Sequence, residues 1–275
     1  MTPAQRRLTH AAPRPEQGFI SRRVPVAGLR LHIRSRAGAP PGRPWVLLHG
    51  LAVSHRYLMP TAAALATGPV HVPDLPGFGL SGKPRRVYDA AEHAEVIAAW
   101  MDSEGIAGAD LLGNSFGCQV AVELAVRRPD LAHALVLVGP TADPVAATAL
   151  GQIGRFLRDL PAEDPRQVRI LAADTADAGP RRVLLTLRHS VRQRVELRLP
   201  LVQAPVLVLR GEHDPIAPRS WLHRAAELVP DGWTGEIPRA AHNAVTTAGE
   251  AVAARATAFV SGLRDGAASA GRRRR

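Results

Sequence analysis

A serine, an aspartate and a histidine, spaced far apart but each in a telling local context, give this chain its candidate chemistry. Ser115 lies in Gly113-Asn114-Ser115-Phe116-Gly117, a small-x-Ser-x-small pattern between an apolar run (109–112) and a helical stretch rich in Ala, Val and Leu (116–127). That is the pattern of a nucleophile elbow, a sharp strand-to-helix turn that lifts the serine hydroxyl above the sheet. Bulkier neighbours at Gly113 or Gly117 would collide with such a turn. Asp214 follows the apolar run 205–209 in Arg210-Gly211-Glu212-His213-Asp214-Pro215, and His242 follows a short strand in Ile237-Pro238-Arg239-Ala240-Ala241-His242-Asn243. A serine hydroxyl is a weak nucleophile at neutral pH. Coupled to an imidazole that takes its proton and a carboxylate that orients the imidazole, it attacks carbonyl carbon.

Each assignment has a competitor. Ser115 could be a plain helix N-cap, and Asp214 could merely cap the turn before Pro215. Asp143, just beyond the predicted strand 135–138, is an alternative acid. His242 has rivals in His49, His55, His71, His93, His189, His213 and His223, but it alone sits after a strand and before the final helix. The negative charge of a tetrahedral intermediate calls for two backbone donors, assigned to the N–H groups of Leu51 and Phe116. Gly50, Asn114 and Asn243, beside these groups, are candidate substrate contacts.

The elements that must hold these residues follow from the pattern of apolar runs. Two strands (20–26 and 29–35) flank Gly28 as in a hairpin. Next come a strand at 44–49, a helix at 57–66, a strand at 70–73, a Gly/Pro loop and a helix at 90–104. Such alternation implies an α/β fold with a mostly parallel sheet covered on both faces. Ligands of such sheets sit beyond the carboxyl ends of the strands, where Leu51, Ser115, Asp214 and His242 all fall. Between 141 and 200 the alternation stops. Residues 144–160 and 181–197 read as helices, the second with Leu184, Leu187, Val191 and Val195 at helical spacing. This insertion after the sixth strand is read as a helical cap that roofs the serine and excludes water.

The chain resembles the α/β-hydrolase superfamily over residues 19–263. His49-Gly50-Leu51, Asp74-Leu75-Pro76-Gly77-Phe78-Gly79-Leu80-Ser81, the elbow and Gly211-Glu212-His213-Asp214 carry the resemblance. It implies the α/β-hydrolase fold, an oxyanion loop after the third strand braced by His49, and a triad in the order Ser, Asp, His. The domain reading is therefore a disordered segment at 1–18, a core at 19–140 and 201–263, a cap at 141–200 and a disordered basic tail at 264–275. The expected activity is cleavage of a small or medium carboxylic ester through an acyl-enzyme. Gly-Asn-Ser-x-Gly is also similar to the elbow of hydrolases that cut carbon–carbon bonds in aromatic ring-cleavage products. Asn243 stands where that family commonly has tryptophan, which ranks this reading second. Thioesterase, lactonase and haloperoxidase-like activities use the same machinery and stay open, as does a binding protein on a hydrolase scaffold. Ser115 argues against dehalogenases and epoxide hydrolases, whose elbow carries aspartate.

Composition narrows the partners. At 275 residues with 46% apolar content, the chain can bury one large core. Cys118 is the single cysteine, so neither an internal disulfide nor a Cys-rich metal site can form. No cofactor or metal motif is present, and no apolar run reaches the length of a membrane span. The formal charge of +11 comes from arginines spread along the whole chain, and the 4% aromatic content is too low for a base-stacking platform. A small-molecule substrate, no specific nucleic-acid partner and a cytoplasmic location are expected; the oligomeric state is open. The N-terminal residues lack the apolar centre of a secretory signal.

Overall fold

The computed structural model describes residues 18–36 and 41–273. Eight strands form a single sheet: β1 (Phe19–Val26), β2 (Leu29–Arg36), β3 (Trp45–Leu48), β4 (Val70–Pro73), β5 (Ala109–Asn114), β6 (Ala132–Val138), β7 (Val206–Gly211) and β8 (Gly232–Ile237). Their spatial order is β1-β2-β4-β3-β5-β6-β7-β8. The first two form an antiparallel hairpin, β2 runs antiparallel to β4, and the remaining pairs are parallel.

The apolar runs of the central strands are buried on both faces because alternate side chains face opposite helical layers. Val46, Leu48, Leu111, Leu135, Leu137, Val206 and Val208 pack with α2 (Ala90–Ser103), α3 (Phe116–Arg127) and α7 (Arg219–Leu228). Their neighbours Trp45, Leu47, Leu112, Val136, Val138, Leu207 and Leu209 pack on the other side with α1 (His55–Ala64) and α9 (Gly249–Arg273). A short helix α8 (Ala244–Thr247) precedes α9. Asp89 caps α2 in a capping box with Glu92, which fixes the start of that helix.

The segment between β6 and β7 is helical, as expected, but its division differs. Residues 144–160 break into a 3-10 turn (Pro144–Ala146) and α4 (Ala149–Asp159), because the Thr148 side chain caps a new helix by accepting from Gly151 N. A further helix, α5 (Pro165–Ala178), opens on a proline at its first position. The last, α6 (Pro180–Arg192), stops short of 197, and Val195–Leu197 form a 3-10 turn. The insert is pinned to the core by polar contacts. Ser54 Oγ and Arg56 Nη1 donate to the Asp174 carboxylate at 2.7 and 2.6 Å, Tyr57 OH donates to Gln167 Oε1 at 2.8 Å, and Gln119 Nε2 donates to Ser190 O at 3.1 Å.

Helix α9 continues to Arg273, through positions where a disordered tail from 264 is expected; Ala267, Ala268 and Ala270 have high intrinsic helix propensity. The N-terminal segment of the sequence reading lies, apart from Gly18, outside the described residues, as do Arg274 and Arg275. Among the described residues no helix is long and apolar enough to cross a membrane.

Candidate functional site

At the end of β5 the chain turns into α3 through Ser115, whose backbone sits at φ 54°, ψ −117°. This left-handed conformation is strained for a residue with a Cβ. Close packing imposes it: a Cβ on Gly117 would lie 2.1 Å from Leu48 O, and one on Gly113 would lie 2.6 Å from Gly117 O. The Ser115 side chain makes no capping hydrogen bond, so the N-cap alternative fails and the hydroxyl is left to face the cavity above the sheet.

His242 enters the same cavity from the loop after β8. Its Nδ1 lies 2.9 Å from Asp214 Oδ2. Asp214, 1% exposed, is itself held by Ile216 N and Ala217 N, which donate to Oδ1 at 2.8 and 3.0 Å. Behind it the buried Arg210 donates to Asp214 O and Ala217 O and pairs with Glu236, bracing the loop. Asp143, the alternative acid, instead pairs with Arg155 at 2.7 Å and accepts from Val145 N. With Nδ1–H donating to Asp214, Nε2 is the ring nitrogen on the side away from that carboxylate. Burial alone would lower the imidazole pKa, but the Asp214 charge and hydrogen bond, with smaller contributions from Asp159 and Glu163, carry it up to about 9.

Gly50 and Leu51, just past β3, also line the cavity, Gly50 beside Ser115. His49 accepts from Leu75 N through Nε2 at 2.9 Å and donates through Nδ1 to Gly50 O at 2.8 Å, joining the loops after β3 and β4. Complete burial lowers its pKa, so it stays neutral. Phe116 opens α3, where the first N–H groups have no acceptor inside the helix. Asn114 lines the cavity, but its Nδ2 donates to Val138 O at 3.2 Å, tying β5 to β6. Asn243 also lines it and gives its backbone N–H to Glu163 Oε1 at 2.8 Å. Thus Gly50, Leu51, Asn114, Ser115, Phe116, His242 and Asn243 share one cavity, with Asp214 directly behind His242. Cys118 is buried one turn into α3, where burial pushes its thiol pKa up and its Sγ bonds Gly113 O; it is a packing residue.

The cavity measures about 280 Å³. Sequence reasoning did not find its roof, which consists of Gln152, Ile153 and Phe156 from α4, Leu171 and Thr175 from α5, and Val183, Leu187 and Ser190 from α6. The helical spacing at 184–195 was the only signal, and it pointed to Leu187 but also to Leu184, which is 44% exposed. Among the described residues that line the cavity there is no Lys, Arg, Asp or Glu. Away from it, the ligand atoms of His32, His55 and Asp74 lie within 4.8 Å of one another, as a metal site would require. Both Asp74 oxygens are already occupied by the two imidazoles and by the N–H groups of His55 and Leu80. That donor set makes Asp74 a structural hub for the loop after β4.

The family model described as "Alpha/beta hydrolase family" matches residues 45–255. The chain is similar to a pimeloyl-[acyl-carrier protein] methyl ester esterase of Neisseria meningitidis serogroup B, with 33% identity over 250 residues, 78% of this chain and 92% of that one. It is similar also to 2-(acetamidomethylene)succinate hydrolase of Mesorhizobium japonicum, with 26% identity over 252 residues, 82% of this chain and 89% of that one. Among solved structures, an enol-lactonase from Burkholderia xenovorans LB400 superposes with a TM-score of 0.73 at 22% identity, covering 87% of this chain and 100% of that one.

Proposed function

The chain belongs to the alpha/beta hydrolase family, and from that premise and the geometry of its cavity we propose that it is a serine hydrolase cleaving small or medium carboxylic esters with an uncharged acyl group. In this reading Ser115 Oγ attacks the ester carbonyl while His242 Nε2 takes its proton, and His242 then delivers that proton to the departing alcohol. Asp214 keeps the Nδ1 proton in place and stabilises the imidazolium. The N–H groups of Leu51 and Phe116 receive the charge on the tetrahedral oxygen. Water then attacks the acyl-enzyme with the roles of His242 repeated. The insert 141–200 serves as the cap, excluding bulk water and shaping the acyl pocket.

The observation that carries the choice of substrate is the wall. It is built from Ile153, Phe156, Leu171, Val183, Leu187 and Ile216 with neutral polar groups, and among the described residues no cationic side chain besides His242 faces it. A buried carboxylate without a partner is costly, so this wall favours a neutral acyl chain over the anionic dienoate of the carbon–carbon reading. The esterase relative, 33% identical, supports the same choice.

The test is hydrolysis of a p-nitrophenyl ester series, from acetate to decanoate, by the wild type and Ser115→Ala, with a ring-cleavage dienoate alongside. Ester turnover that vanishes in Ser115→Ala is the expected result. Cleavage of the dienoate alone would replace the ester reading, and saturable ligand binding without turnover of any substrate would favour the binding-protein reading.

A further inference from the structure

Two carboxyl groups of the insert touch the loop that carries His242. Asp159 ends α4 and Glu163 follows the 3-10 turn Leu160–Ala162. Asp159 Oδ1 accepts from His242 N at 3.2 Å, and Glu163 Oε1 accepts from Asn243 N at 2.8 Å. Both side chains are buried, at 1% and 9% exposure. Their second oxygens, Asp159 Oδ2 and Glu163 Oε2, are also buried and meet no donor among the described residues, yet the two side chains lie within hydrogen-bonding reach of each other. Two ionised carboxylates only accept, so they cannot bond to one another. A single proton between them satisfies both orphan oxygens and removes one buried charge.

Among the described residues, three groups face the pair. The His242 imidazole and the Asp214 carboxylate lie on the core side, and the Tyr57 phenol lies on α1. Tyr57 donates its proton to Gln167 Oε1, and burial together with the two acids pushes its pKa above the ordinary value. It is therefore not the source of the missing proton.

We propose that Asp159 and Glu163 are positioning residues for the reaction, a carboxyl pair sharing one proton that clamps the His242–Asn243 backbone to the cap and sets the negative charge beside the imidazole. The proposal rests on the serine-hydrolase reading of the site. Burial is the largest influence on both acids and raises both, carrying Glu163 up to about 7. Below that pH the pair holds its proton and sets one charge next to His242. As pH rises through it the proton leaves, the two carboxylates repel, and the second charge makes the imidazole hold its own proton more tightly. The pair thus couples the charge beside the imidazole to the protonation of His242.

The experiment is an NMR titration of the full chain labelled at histidine Cε1, with the His242 signal identified by its loss in His242→Gln. Wild type is compared with Glu163→Gln and Asp159→Asn, whose amides keep an oxygen to accept from Asn243 N and His242 N. Neutralising either acid is expected to lower the His242 pKa by about one unit, and the acid limb of the kcat/KM profile should move to lower pH by the same amount. A purely structural role would move neither. If one variant does not fold, the other decides. Unchanged His242 titration in the folded variants overturns the proposal. Because the titration needs no turnover, a shifted His242 in a protein that cleaves no ester would uphold the clamp and overturn the serine-hydrolase reading instead.

Discussion

Replacing Asp214 by asparagine isolates what the proposed mechanism needs of this residue from what folding needs. The Asn carbonyl oxygen can keep the two backbone bonds from Ile216 N and Ala217 N that now end on Oδ1. The loop also keeps its brace from Arg210, which bonds the backbone carbonyls of Asp214 and Ala217. What changes is the atom 2.9 Å from His242 Nδ1, which turns from an acceptor into an N–H donor. Nδ1 must then accept, the ring proton moves to Nε2, and the nitrogen that should take the Ser115 proton is blocked. The wrong tautomer is expected to cost about 10⁴-fold in kcat, or about 5.5 kcal/mol of barrier. Asp214 is also the largest influence raising the His242 pKa toward about 9, so that pKa falls in the variant. Raising the pH does not rescue the rate, because the lost step is tautomeric rather than protonic. The assay is kcat on a p-nitrophenyl ester from pH 6 to 10, with the melting temperature measured beside it. Asp143→Asn is the control, since Asp143 pairs with Arg155 and should leave kcat within a few-fold of wild type. An Asp214→Asn protein that keeps more than about a tenth of wild-type kcat, or an Asp143→Asn protein that loses it, would refute the assignment.

Other outcomes follow from the same geometry. Phe156→Ala opens the cap side of the cavity, so the preferred acyl chain should lengthen, with the long-to-short ratio of kcat/KM in the ester series rising about tenfold or more. Gly117→Ala places a methyl carbon 2.1 Å from Leu48 O in the tightest part of the elbow, and urea unfolding should show a loss of about 3 kcal/mol or insoluble protein. Burial would raise the Asp74 pKa, but His55 and His32 together hold it well below the ordinary carboxylate value. Its stabilisation is therefore complete above the unfolded-state pKa near 4 and drains away as pH falls toward the folded value. Asp74→Asn should cost about 3 kcal/mol at pH 7 by denaturant titration, and much less in strong acid.

The sequence by itself determined the sheet and the elbow, because both depend on short-range rules. A strand buried on two faces must be apolar at successive positions, as in Leu135 to Val138, whatever surrounds it. A strand-to-helix turn as tight as that at Ser115 admits only glycine at Gly113 and Gly117. The order of Ser115, Asp214 and His242, each just past a strand end, was likewise readable, since a parallel sheet gathers its strand ends on one edge. Tertiary structure alone separates Asp214 from Asp143, because both follow strands and only the fold brings Asp214 to His242 and sends Asp143 to Arg155. It also decided the walls of the cavity. Helices α4 to α6 are amphipathic on ambiguous faces, and which side chain turns inward depends on how the insert rests on the core, so that Leu187 lines the cavity while Leu184 meets solvent. Nothing in the local sequence marks Asp159 and Glu163 as site residues. They became a buried pair at His242 only because the chain brings them against a loop some eighty residues away, a contact that no local propensity encodes.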